Sequence, residues 1–242
     1  LILSSHFIKK KNQFHWIKCR LERRMAASIC SSGIPSLITE LSSGIVIIVF
    51  NSIILGLEGN VGVAAYGVIA NLSLVIIAIY TGIAQGIQPI MSRNYGVGNH
   101  RNIQLILRYA LITMLILSVL VYMGVFLGAE QIAAIFNSER NELLQTIAVE
   151  GLKLYFIACP FAGFNIIISI YFTSTEYPIP ANIISILRGF FVIIPMAFLL
   201  SPIAQITGVW CAFPATELLV TIVGVIFFVM SKKLRKRRVR YE

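Results

Sequence analysis

Three ionisable residues stand inside stretches that are otherwise apolar: Glu40 in GIPSLITELSSGIVIIVFN, Arg188 in ANIISILRGFFVIIP and Glu217 in GVWCAFPATELLVTIVG. Charged side chains are costly in such surroundings, so each is a candidate for function. A carboxyl held there can exchange a proton, bind Na⁺ or hold a cationic solute. It can equally be a protonated or paired glutamate that joins helices. Arg188 reads either as a site residue or as a long side chain snorkelling inward. Neutral polar residues accompany these three: Thr39, Ser42, Ser43 and Asn51 near the first carboxyl, Asn71, Tyr80, Gln85 and Gln88 further on, then Asn165 and Tyr171. Singly each can hydrogen-bond between helices. Together they make a poor surface for lipid, so the expected lining of a cavity is Glu40, Ser43, Asn51, Gln85, Gln88, Asn165, Tyr171 and Glu217.

No other chemistry is legible. The chain contains no Asp, and His6, His15 and His100 all fall in connections between apolar stretches, which leaves no Ser/His/Asp or Cys/His arrangement. The glycines of NYGVGN, residues 94–99, follow no strand and lead to no G-K-[ST], so they form a turn and not a phosphate cradle. Cys19, Cys30, Cys159 and Cys211 are scattered, without metal-ligand spacing, and read as free thiols. The chain is expected to be no enzyme and to carry no metal or cofactor.

The elements that must position these residues are membrane spans. With 57% hydrophobic and 12% charged residues and a mean hydropathy of +0.85, the chain needs a bilayer as its solvent. Six segments of spanning length appear, roughly 25–55, 62–91, 102–128, 146–174, 180–200 and 206–231, with breaks expected at Gly33 with Pro35, Pro160 with Gly163, Pro195 and Pro214. Strands are excluded because LVIIAIY and LITMLILSVLVYMGVFL do not alternate as a membrane barrel requires. The stretch 129–144 spaces Ile132, Ile135 and Leu143 among charges, as either a short interfacial helix or an ordered loop.

Lys and Arg set the orientation. Seven fall between Lys9 and Arg24 and seven between Lys232 and Arg240; with Arg93 and Arg101 they make 16 of 20 on one side, while Arg140 and Lys153 fall on the other with Glu58, Glu130, Glu139, Glu142 and Glu150. Both termini are therefore expected in the cytoplasm. The net charge of +10 sits at membrane flanks without interleaved aromatics, so no nucleic-acid partner is expected. The tail KKLRKRRVR reads as a stop-transfer flank or as a contact for anionic lipid.

Four stretches carry a resemblance: GIPSLITELSSGIVIIVFN from Gly33, GVAAYGVIANL from Gly62, TGIAQGIQPIMSRNYGVGNHRN from Thr81 to Asn102, and GVWCAFPATELL from Gly208. They resemble the multidrug and toxic compound extrusion (MATE) transporters, most specifically between Gln85 and Gly98. The resemblance implies an all-α membrane protein, with six transmembrane helices forming one lobe of a two-lobed transporter that rocks between inward- and outward-facing states. It implies export of multiple drugs or organic cations from the cell by antiport with H⁺ or Na⁺ across the plasma membrane, with the N-terminal lobe of the same transporter as partner. Residues 1–24 would then be the end of a preceding helix and a basic cytoplasmic linker between lobes, 25–231 the C-terminal six-helix lobe and 232–242 a basic cytoplasmic tail, the chain being a fragment of a longer sequence. The family's usual acid in the first of these helices would fall near Ser43, three residues from Glu40, and its fourth-helix aspartate at Asn165, which cannot titrate. The alternatives are a lipid-linked saccharide flippase of the same superfamily, or a membrane assembly module that transports nothing.

Overall fold

The computed structural model describes residues 23–138 and 140–238, with side chains from Leu41 to Ser231 apart from Ser43 and Glu139. Residues 1–22 of the expected linker and 239–242 of the expected tail, together with the side chains of Glu40 and Ser43, lie outside the described residues, whereas 232–238 continue the last helix. The chain divides into two units, Leu1–Leu37 and Ile38–Glu242, and the second holds the polar residues of interest with described side chains. The described residues are helical with no strand. The order is α1 (Arg23–Gly96), α2 (His100–Leu127), α3 (Ala129–Phe136), α4 (Glu142–Tyr155), a 3₁₀ turn (Phe156–Ala158), α5 (Cys159–Ser174), α6 (Pro178–Ile186), a π turn (Leu187–Phe191) and α7 (Ile193–Arg238).

Among these residues four helical stretches are long and apolar enough to cross a membrane: Gly44–Gly96, His100–Leu127, Glu142–Ser174 and Pro178–Ser231. The first and last, of 53 and 54 residues, would each extend ~80 Å if straight, far beyond a hydrocarbon core of ~30 Å. Neither is straight. In the first, Gly59 leaves the helical region with φ 62° and ψ −154°, a conformation open essentially to glycine. A Cβ added to Gly62 would then lie 2.9 Å from Ile54, eight residues earlier and about 12 Å distant along a continuous helix. In the last, Ala204 and Gln205 break the helix, and a Cβ on Gly208 would lie 2.1 Å from the carbonyl oxygen of Leu200. Each long stretch doubles back at its break. Gly208 is there because two backbones meet with no room for a side chain between them.

The breaks fall partly where expected. Pro160 opens α5 behind the 3₁₀ turn, and Pro195 lies in the first turn of α7 after the π turn. Pro214 breaks nothing, since the backbone around it stays helical, while the excursion at Ala204 and Gln205 falls in the connection expected between the spans 180–200 and 206–231. Proline is tolerated inside a membrane helix where neighbouring helices and small local adjustments serve the freed backbone groups. The stretch 129–144 is a short helix, α3, but it ends at Phe136, and Leu143 belongs to α4. In α3 Ala129 and Ala133 are buried, whereas Ile135 is exposed.

The burial pattern suits lipid. Large apolar side chains such as Ile48, Leu74, Leu120 and Ile203 lie exposed around the outside, while Ser118, Asn165, Thr216 and Glu217 are buried within. The core runs through an aromatic stack of Phe50, Tyr66 and Trp210. At its centre α5 packs against α2, α6 and α7, so a residue midway along α5 can meet side chains from several spans.

Candidate functional site

Asn165 occupies that midway position. It lies nine residues before the end of α5, and Arg188 lies ten residues after the start of α6, so both are ~15 Å along a helix from the same end of the bundle. Glu217 is twelve residues beyond the break at Gln205 and fourteen before Ser231, close to the middle of its own arm. The three side chains converge from different elements at one depth.

Glu217 is fully buried and Asn165 very nearly so. Asn165 Nδ2 donates to Glu217 Oε2 at 2.7 Å and to the backbone carbonyl of Glu217 at 3.0 Å. Arg188 Nε donates to Glu217 Oε1 at 2.5 Å, closing an ion pair. Thr221 Oγ1 bridges the same groups, 3.1 Å from Asn165 Oδ1 and 2.8 Å from the Glu217 carbonyl. Burying a lone carboxylate costs several kcal/mol, and a buried pair is tolerable only where further hydrogen bonds satisfy both members. That condition is met at Glu217 by one donor on each oxygen. On one side the stacked rings of Tyr155 and Phe213, 4.5 Å between centroids, lie a turn away along α7. On the other lie Tyr171 and Phe228, 5.5 Å apart.

Of the residues expected to line a cavity, the structure brings Asn165 and Glu217 together, with Tyr171 buried nearby. Asn51 and Gln88 are half-buried and Gln85 is exposed, none of them hydrogen-bonded to this network. The side chains of Glu40 and Ser43 lie outside the described residues. Arg188 does more than snorkel: it supplies the counter-charge. Thr221 escapes a search for ionisable groups, yet its place four residues after Glu217 puts it on the same helical face. Cys159 and Cys211 are free thiols, as read from their scatter.

Broken apolar helices around a polar centre buried at mid-span define a multi-pass helical membrane protein. The chain belongs to the MatE family, the multidrug and toxic compound extrusion transporters, whose family model matches residues 35–199. It is 25% identical over 179 residues to the FAD transporter of Shewanella oneidensis, covering 71% of this chain and 38% of that protein. It is 22% identical over 213 residues to the multidrug export protein MepA of Staphylococcus aureus, covering 88% of this chain and 46% of MepA. In fold it is similar to an outward-facing multidrug resistance MATE family transporter of the MOP superfamily, with a TM-score of 0.84 at 19% identity over 98% of this chain and 53% of that one. The chain thus spans about half, or less, of the length of the relatives it matches.

Proposed function

We propose that this chain is one lobe of an antiporter that exports small organic cations in exchange for H⁺ or Na⁺, with Glu217 as a carboxylate that handles the coupling cation and Glu40 as a second. One observation carries the reading: a fully buried carboxylate at mid-span, held by the side chains of Asn165 and Arg188 from two other elements. Membership of the MatE family and similarity to MepA support the class of substrate. The four long stretches cross the membrane as six arms, doubling back at Gly59 and at Gln205, and both ends of the lobe face the cytoplasm. The partner is a preceding lobe of the same transporter, and the two rock about a central cavity between them. Linkage does the work: a cation and a cationic drug compete for the same carboxylates, so loading one on one side of the membrane favours release of the other.

A second reading, export of an anionic solute, is favoured by the partly exposed side chain of Arg188 and by the similarity to the FAD transporter.

The test is gradient-driven uptake of a fluorescent organic cation into everted vesicles carrying the full-length protein. Glu217→Gln is expected to reduce uptake to background, and Glu40→Gln to impair it. Unchanged uptake in Glu217→Gln removes that residue from the mechanism. Competition of uptake by a dinucleotide anion, with none by organic cations, decides for the second reading. Residues 1–242 alone, lacking the opposite wall of the cavity, are expected to be inactive.

A further inference from the structure

Glu217 already has a cation. Asn165 occupies Oε2 and the Arg188 guanidinium occupies Oε1, so an arriving H⁺ or Na⁺ contends with a positive charge that is part of the protein. A carboxylate of this kind accepts either the tethered cation or the mobile one.

The position of Arg188 suits it to leave. It stands in the π turn Leu187–Phe191, closed by a hydrogen bond from Val192 N to the Leu187 carbonyl at 2.9 Å. A π turn holds one residue more than an α turn, and passing that residue along the helix rotates a side chain by ~100°. Such turns are found often at functional sites. The guanidinium is also unevenly committed. Its Nε is spent on Glu217, its Nη atoms have no hydrogen-bond partner among the described residues, and its side chain is 21% exposed where that of Glu217 is 0%. One edge holds the carboxylate and the other is uncommitted among the described residues.

We infer that Arg188 is the tethered counter-cation of the coupling site: it neutralises Glu217 while no ion is bound, and the coupling cation loads only by displacing it. The inference rests on Glu217 handling that ion, as proposed above. The charges balance. Before loading, carboxylate and guanidinium sum to zero; afterwards the mobile cation neutralises Glu217, the guanidinium withdraws with its charge intact, and the site has gained one positive charge. A freed guanidinium in a low-dielectric cavity repels a bound cationic solute, so ion loading and drug release become one event. While no ion is bound, the pair keeps the lobe from crossing with a bare carboxylate.

The experiment measures the reaction of Glu217 with dicyclohexylcarbodiimide, which attacks protonated carboxyl groups within membranes, using the full-length protein in lipid nanodiscs and mass spectrometry of the labelled peptide. Labelling is followed against pH and against Na⁺, with choline as the control. Besides Arg188, the titratable groups that sense the charge of Glu217 are Tyr155 on α4 and Cys159 on α5, and both are left unchanged. Arg188→Gln is expected to label about tenfold faster than wild type, or to be half-protected by about tenfold less Na⁺, the size of coupling that competing ligands commonly show. Arg188→Lys, which keeps the charge but lacks the Nε donor, is expected in between. Equal rates and equal protection in wild type and Arg188→Gln overturn the inference. If Arg188→Gln does not fold, Arg188→Lys decides alone: faster labelling supports the inference and an unchanged rate overturns it. A failure of the underlying reading shows separately, as gradient-driven export that survives Glu217→Gln.

Discussion

One nitrogen of Asn165 serves two oxygens of Glu217, the side-chain Oε2 at 2.7 Å and the backbone carbonyl at 3.0 Å. A single side chain on α5 therefore fixes both the helix that carries the carboxylate and the carboxylate itself. The MATE resemblance suggests an aspartate at position 165, and an asparagine there first reads as the loss of a coupling group. The contact gives it another meaning: the charge stands on α7, and α5 supplies the donor that holds it.

Removing that donor leaves one oxygen of a buried carboxylate unsatisfied. Asn165→Leu, similar in size but unable to hydrogen-bond, is expected to destabilise the protein by ~2–3 kcal/mol. Thr221→Val removes a neutral bond to Asn165 and a local bond within its own helix, and is expected to cost only about 1 kcal/mol. Thermal unfolding in detergent checks both, and equal losses would show that Asn165 is not the keystone of the network.

The second doubled-back stretch depends on a backbone contact. At Gly208 an added Cβ would stand 2.1 Å from the carbonyl oxygen of Leu200, a backbone atom that cannot swing aside. Gly208→Ala is therefore expected to prevent accumulation of folded protein. Gly67→Ala is the control, because nothing lies within 4 Å of a Cβ there. In a helix interior it should stabilise by roughly 0.5–1 kcal/mol. Membrane yield and monodispersity after detergent extraction separate the two variants.

The two breaks differ in residue type, and this sets opposite outcomes for exchanging them. Gly59 has φ 62°, so Gly59→Ala is expected to cost at least about 1 kcal/mol. Gln205 has φ 49° with a side chain present, and Gln205→Gly is expected to relieve about 1 kcal/mol of that strain. Thermal midpoints moving in opposite directions would bear this out. A loss in both would mean that the Gln205 side chain contributes more than its backbone costs.

The same contrast explains how much was legible. A reversal near residue 59 follows from the glycines of LGLEGNVG between two apolar runs, and the inner turn at NYGVGN likewise. The reversal at 204–205 carries no glycine, yet it falls in the gap between the apolar runs 180–200 and 206–231, whereas the further break expected at Pro214 does not form because a local rule about proline is overridden by tertiary packing. Glu217 and Asn165 stand out as polar residues in apolar runs, but their meeting does not, since 52 residues separate them and only the packing of α5 on α7 joins them. Thr221 was invisible for a related reason: a threonine in a membrane helix usually bonds its own backbone, and only the neighbouring Asn165 makes this one part of a network.

Orientation can be tested without transport. The turn at 97–99 stands between Arg93 and Arg101 and is expected to face the cytoplasm by the excess of Lys and Arg on that side. The connection at 137–141 separates α3 from α4, where Glu130 and Glu142 flank it, and is expected outside. In a background where Cys19, Cys30, Cys159 and Cys211 are replaced by serine, Asn99→Cys should react with a membrane-impermeant maleimide only in everted vesicles. Ser138→Cys should react only in intact cells. The odd number of crossings between these positions comes from α2 alone, a single unbroken span of 28 residues, so labelling from the same side would contradict the helix as a span and not merely its direction. Labelling of each from the opposite side to that expected would leave the fold intact and invert the lobe. The cytoplasmic placing of both ends would then fail.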